Sequence, residues 1–200
     1  MNQNSHIDSM LSIYELCRQG TRVLGPGVRY VIWTQGCPFH CEGCLTPNSR
    51  PISAEKQAKI SMLAEDILSR PYIEGITISG GEPFLQAAAL ASLLNIVLTE
   101  RPELNVITYT GFTIDSLSWP EAQNLIEHLD LIIDGPYIKS LNDDKGLRGS
   151  SNQKFHFLTS RLLPWKDEME NGKRKVEYHI YNEIVKAFGV PSTAMIIENN

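Results

Sequence analysis

The sequence predicts an α/β domain, an open and partial (β/α)6-like barrel followed by a C-terminal β extension. Three observations carry this. Short β-rich runs alternate with longer segments whose apolar residues recur at helical spacing, the pattern of a parallel sheet with right-handed crossovers. Five or six such units fit the 200 residues, too few for a closed eight-fold barrel. Polar and glycine motifs recur at the C-terminal ends of successive runs, where open α/β sheets place their ligands.

Residues 1–11 are expected to be a flexible N-terminus, 12–160 the core domain and 161–200 an extension. Tyr30-Val31-Ile32-Trp33-Thr34 reads as a strand running into a cysteine loop. Residues 54–69 read as a helix, because Ile60, Leu63, Ala64, Ile67 and Leu68 share one face, with Ser53 as N-cap and Arg70-Pro71 as stop. Residues 75–79 are β-rich and end in Gly80-Gly81-Glu82-Pro83. A second helix follows to about Thr99, with Leu90, Leu93, Leu94, Val97 and Leu98 on one face, and Arg101-Pro102 ends it. Asn105–Tyr109 is the next strand, closed by Thr110-Gly111. A third helix lies within 114–129, carried by Ala122, Leu125, Ile126 and Leu129. Leu131-Ile132-Ile133 is a buried strand ending at Asp134-Gly135-Pro136. Residues 139–153 are polar and glycine-rich and read as a loop, and 155–158 as a strand. Val176–Tyr181 and residues 184–188, joined at Asn182-Glu183, read as a hairpin with one face on the domain and the other in solvent.

A hydrophobic content of 42% over this length supports one well-cored domain. The net charge of −5 gives no electrostatic case for nucleic acid, and no nucleic-acid partner is expected. Lys173-Arg174-Lys175 reads as a solvated turn. No apolar run approaches the ~18 residues of a membrane span, so no membrane is expected. The polar N-terminus does not read as a targeting signal, and free thiols then point to a reducing cytoplasm.

Cys37, Cys41 and Cys44 are spaced C-x3-C-x2-C. Three thiolates from one short loop suit three corners of a [4Fe–4S] cube and leave one iron with an open position, the arrangement of a reactive site. Zinc is the competing reading. A structural zinc site wants four ligands, usually in two separated pairs. Here Cys17 lies twenty residues upstream without a partner, and His40 sits inside the same loop. A disulfide framework fits a chain of this length poorly. Gly80 and Gly81 admit close approach of a ligand to their backbone, and Glu82 offers a carboxylate to an ammonium group. An ordinary βα turn is the competing reading of that motif. His156 and His179 read as satisfied structural histidines, Trp33 and Trp165 as packing residues, and Cys17 as a buried or free thiol.

Together these motifs resemble the radical S-adenosylmethionine (SAM) superfamily. Gly25-Pro26-Gly27-Val28-Arg29, then Thr34-Gln35-Gly36-Cys37, is similar to the start of the activating enzymes of glycyl-radical enzymes. Ser79-Gly80-Gly81-Glu82-Pro83 is similar to the family's G-G-E-P motif. Tyr109-Thr110-Gly111-Phe112, Asp134-Gly135 and Arg148-Gly149-Ser150-Ser151-Asn152-Gln153 most resemble the activating proteins of anaerobic (class III) ribonucleotide reductase. The likeness covers residues 12–158. It implies the radical SAM barrel, a [4Fe–4S] cluster on Cys37, Cys41 and Cys44, and SAM bound at the fourth iron. It implies Gly80, Gly81 and Glu82 around the SAM amino group, Thr108 and Thr110 near its ribose or methionine part, and Asp134 as a further contact. Arg148 and Asn152 would face SAM or a partner. No catalytic group is implied beyond the cluster and SAM. The activity implied is reductive cleavage of SAM to a 5′-deoxyadenosyl radical, with an electron from a low-potential donor such as flavodoxin or ferredoxin, to install a glycyl radical on a partner enzyme.

Two departures stand out. Many superfamily members carry an aromatic residue before the third cysteine, where this chain has Gly43, so adenine packing falls to Phe39 or to backbone. The chain also continues well past Gln153, where the reductase activases are shorter. Two other functions compete. A radical SAM enzyme acting on a peptide or small molecule often adds auxiliary-cluster cysteines, and none follows Cys44. A ferredoxin-like electron carrier would want a fourth ligand and needs no βα scaffold.

Overall fold

The computed structural model describes residues 9–53, 55–181 and 184–193. Its strands are β1 (Met10–Thr21), β2 (Arg29–Thr34), β3 (Gln57–Lys59), β4 (Gly75–Gly80), β5 (Asn105–Tyr109), β6 (Leu131–Asp134), β7 (Lys154–Phe157), β8 (Val176–Tyr181) and β9 (Ile184–Gly189). Its α-helices are α1 (Ile60–Leu68), α2 (Ala87–Glu100), α3 (Pro120–Ile126) and α4 (Lys166–Asn171). Seven strands form one sheet in the order β3-β1-β2-β4-β5-β6-β7, and β8-β9 form a separate pair. The centre, β2-β4-β5-β6, is parallel, as the alternating pattern predicts. Antiparallel strands β1 and β7 extend it at either side.

Alternation along each strand sorts two cores. Ile32, Ile76, Ile78, Val106 and Ile132 face the layer of α1, α2 and α3, meeting Ile67, Leu90, Leu94 and Leu125. On the opposite face, Val31 meets Phe188 and Val190 from the tail. Ile107, Leu131 and Ile133 meet Leu162 and Met169 there. The extension therefore covers the inner face of the sheet.

Several local expectations are corrected. Met10 and Leu11 belong to β1, and Leu11 is fully buried, although both fall in the stretch expected to be flexible. Residues 1–8 lie outside the described residues, as does the Asn182-Glu183 joint. The helix expected from residue 54 starts at Ile60, because residues 57–59 pair instead with Met10, Leu11 and Ser12 at the sheet edge. Lys59, not Ser53, is the N-cap. The stretch Pro83–Glu100 has the length and apolar character of a membrane span, contrary to expectation. Its Leu90, Leu93, Leu94 and Val97 are fully buried in the core. The Lys173-Arg174-Lys175 turn is not wholly solvated, since the Arg174 side chain is only 3% exposed and pairs with Asp144 at 3.1 Å. Trp165 is substantially exposed, while Trp33 packs on Phe188 with ring centroids 5.6 Å apart.

Arg29, from the Gly25–Arg29 motif, explains why that motif is needed. Its guanidinium is fully buried and donates to Thr77 Oγ1 (2.6 Å), Asn105 Oδ1 (2.6 Å) and the carbonyls of Pro26 (3.0 Å), Ile76 (2.6 Å) and Asn105 (3.2 Å). It ties β2, β4 and β5 together where they begin, at the end away from the cysteines. Arg29→Met should lower unfolding free energy by about 3 kcal/mol or more, because several buried acceptors lose their donor at once. Urea unfolding measures this, and an unchanged midpoint would show that the clamp contributes nothing.

Candidate functional site

The cysteine loop leaves β2 after Thr34 and is latched by backbone on both sides. Gly36 N–H donates to the Ser49 carbonyl (2.8 Å) and Cys37 N–H to the Arg50 carbonyl (2.9 Å). From the end of β4, Gly81 N–H donates to the Thr34 carbonyl and Glu82 N–H to the Gly36 carbonyl, both at 2.8 Å. Thr46 Oγ1 donates to the Gly80 carbonyl at 3.1 Å. Cys37, Cys41 and Cys44 are thereby held half-buried, on the wall of one cavity that also takes in Gly80, Gly81, Glu82, Thr110 and Gly135.

The donor set fits a cluster better than a single ion. Among the described residues, no three or more His, Cys, Asp and Glu side chains gather around one ion position. Zinc requires its ligands around one point at about 2.0–2.3 Å. A cube takes one thiolate at each corner iron, so its thiolates stand further apart. Burial raises the Cys37 thiol pKa, and Glu82, Cys44 and Cys41 nearby push the same way, against a hydrogen bond to the Phe39 backbone. Bound iron supplies the positive charge that such a set of thiolates lacks.

The glycines of the Gly80–Glu82 motif are required by backbone packing. A Cβ on Gly81 would stand 2.2 Å from the Gly36 carbonyl oxygen, and one on Gly80, at φ +103°, would stand 2.4 Å from Thr34 N. Two strand ends touch there, which sets the cysteine loop against the cavity floor.

Glu82 is almost wholly buried. Its Oε1 accepts from Phe84 N–H (3.0 Å) and Thr110 Oγ1 (2.8 Å), and its Oε2 from Gly111 N–H (2.8 Å). Burial pushes its carboxyl up to about 7 against the pull of these donors. The carboxylate thus ties the end of β4 to the end of β5, and Oε2, with one protein donor, keeps room for a second.

Thr110 lines the cavity, but its hydroxyl is engaged by Glu82 and by Phe112 N–H at 3.1 Å. Thr108 is fully buried and not on the cavity wall. Asp134 is also off the wall. Its Oδ2 accepts from Ile114 N–H at 2.7 Å and lies 3.0 Å from His156 Nε2, without hydrogen-bond alignment. Asp134 therefore caps the turn that begins at Ile114. Arg148 pairs with Asp143 at 2.5 Å, and Asn152 Nδ2 donates to the Pro136 carbonyl at 2.8 Å. His179 bonds the Tyr181 hydroxyl at 3.0 Å and packs edge-on to Phe188, a structural histidine. Phe39 lines the cavity and packs edge-on against Phe112, with centroids 4.9 Å apart.

Sequence reasoning gave no role to two polar cavity residues, Gln153 and Arg50. Gln153 accepts from Gly149 N–H (2.8 Å) and Ser150 N–H (3.2 Å) and donates to the Gly135 carbonyl (2.8 Å), so it fixes one wall. Arg50 also stands on the wall, and only its place six residues after Cys44 marked it in the sequence.

Residues 23–156 match a family described as a 4Fe-4S single cluster domain. The anaerobic ribonucleoside-triphosphate reductase-activating protein of Enterobacteria phage T4 is 33% identical over 151 residues, covering 73% of this chain and 93% of that protein. The protein of that name from Vibrio cholerae is 33% identical over 147 residues, covering 68% of this chain and 92% of its own. The pyruvate formate-lyase-activating enzyme of Staphylococcus aureus is 31% identical over 141 residues, 67% of this chain and 55% of that enzyme. The family match runs from just before β2 into β7 and so takes in the parallel strands and the cysteine loop. The chain belongs to this family of single-cluster 4Fe–4S domains, among the radical SAM activating proteins.

Proposed function

We propose that this protein is a radical SAM activase that installs a glycyl radical on a partner enzyme, with a [4Fe–4S] cluster on Cys37, Cys41 and Cys44. One observation carries the reading. The three thiols share a cavity wall, and the only other cysteine, Cys17, is fully buried in an apolar cluster and does not reach that wall, so the chain has no fourth thiolate to give. The relatives named for activating a reductase and a formate-lyase support the choice of partner class.

Cys37, Cys41 and Cys44 would hold the cluster, which would supply the electron for reductive SAM cleavage and so the hydrogen-atom abstraction needed at a partner's glycine. The chain's own residues position and shield. The Gly80–Glu82 segment presents backbone and Glu82 Oε2 to the SAM amino group. Phe39, Leu45 and Leu147 give apolar wall that excludes water. Pro38, His40, Glu42 and Gly43 are exposed, so the loop's outer side is open to a low-potential donor such as flavodoxin or ferredoxin.

Protein reconstituted without oxygen should hold about four irons per chain. With SAM and a reductant it should release 5′-deoxyadenosine and methionine in equal amounts. With a glycyl-radical enzyme present, a glycyl signal should appear by electron paramagnetic resonance. Full zinc occupancy after anaerobic purification, or no nucleoside release, would sink the proposal.

A further inference from the structure

Among the described residues, Arg50 is the one lysine, arginine or histidine on the wall of the cysteine cavity. Its backbone is fixed: the carbonyl accepts from Cys37 N–H at 2.9 Å, and the N–H donates to the Pro47 carbonyl at 3.2 Å. Its side chain has no such ties among the described residues, and Nε is buried without a hydrogen-bond partner. Nε of Arg148 and Nε of Arg174 are likewise buried without a hydrogen-bond partner, but each of those guanidinium groups reaches a carboxylate, Asp143 and Asp144 respectively. The fully buried Arg29 has five hydrogen bonds to protein acceptors, and none of Arg29, Arg148 and Arg174 stands on the cavity wall. A buried guanidinium N–H without an acceptor is costly, and a ligand that brings an acceptor removes the cost.

The cavity thus sorts charge. Glu82 is a buried carboxylate with capacity left on Oε2, and Arg50 is a cation without a partner. An amino-acid group carries the complementary pair, an ammonium and a carboxylate. We propose that the Arg50 guanidinium receives the α-carboxylate of the methionine part of SAM, and that Arg50 is the residue by which this chain selects an intact amino-acid group. This rests on the reading that SAM occupies the cavity. Because the Arg50 carbonyl also holds Cys37 N–H, one short segment supports both the first cysteine and the carboxylate contact.

The test is calorimetric titration of the full-length, anaerobically reconstituted protein with SAM and with decarboxylated SAM, which lacks the α-carboxylate. Arg50→Met should weaken SAM binding about 10- to 100-fold, the worth of a charge-assisted hydrogen bond. Its affinity for decarboxylated SAM and its iron content should match the wild type. Arg50→Lys should fall between, because a point charge replaces a planar fork. Unchanged SAM binding in Arg50→Met, an equal loss for both ligands, or loss of iron would each overturn the assignment while leaving the proposed function standing. Wild-type protein that binds neither ligand would overturn both.

Discussion

Alanine at Cys37, Cys41 or Cys44 is expected to abolish SAM cleavage in each case, while Cys17→Ala leaves cleavage and iron content close to the wild type. The asymmetry follows from where the four thiols stand. Three are half-buried on one cavity wall, on a loop whose backbone is pinned to residues 49–50 and 81–82. A cluster held by three thiolates has no spare protein ligand, so losing one leaves two corners anchored. Cys17 lies among Val23, Leu24, Val31 and Phe188, and burial pushes its thiol up to about 12, which keeps it protonated and inert. Iron analysis and chromatography of 5′-deoxyadenosine check the set. Cluster loss in Cys17→Ala would mean a four-thiolate cluster and would remove the open iron on which the proposed function depends.

What could be read from the sequence was local. The cysteine spacing, the strand-ending motifs and the apolar faces of α1 and α2 each depend on residues within a few positions of one another. What could not be read depends on partners far along the chain. β1 was hidden because its register shifts between Ile13 and Glu15 and again between Cys17 and Thr21, which breaks the alternation a strand shows. Residues 57–59 carry apolar-periodic neighbours, yet pairing with Met10–Ser12 makes them strand. Arg174 looks like one member of a charge run, but its ion-pair partner Asp144 is thirty residues away. Gly80 and Gly81 stand on the cavity wall, and their need to be glycine also comes from the Thr34 and Gly36 backbone packed against them, which only the paired strands bring there. Glu82 was found by motif, yet its ties to Phe84, Thr110 and Gly111 appear only once β5 is set beside β4.

Deleting residues 160–200 should prevent the protein from reaching a stable folded state, with melting temperature and iron retention falling together. The family match stops at residue 156, so the tail has no counterpart within that match. A dispensable docking module is the rival account of such a segment. Its outward face gives that account some ground, since Tyr178, Ile180 and Val185 are 59–76% exposed. The inward side decides the matter. Leu162, Met169, Phe188 and Val190 are all less than a tenth exposed and cover Val31, Ile107, Leu131 and Ile133 of the central strands. At about 1.5–3 kcal/mol for each buried side chain, those four contribute roughly 6–12 kcal/mol. That is comparable with the ~5–15 kcal/mol that holds a typical domain folded. Polar ties add to it: Lys186 to Glu15 at 2.9 Å, Thr21 to Glu177, and Arg174 to the carbonyls of Arg148 and Gly149. Gly189 and Val190 also stand on the cavity wall, so losing the tail opens the cysteine site to water. A milder variant separates the accounts where the deletion does not fold: Phe188→Ala should cost about 3–5 kcal/mol in denaturant unfolding. A truncated protein with an unchanged melting temperature and full iron would defeat the structural account. Retained SAM cleavage without hydrogen transfer to the partner would then make the tail a docking device.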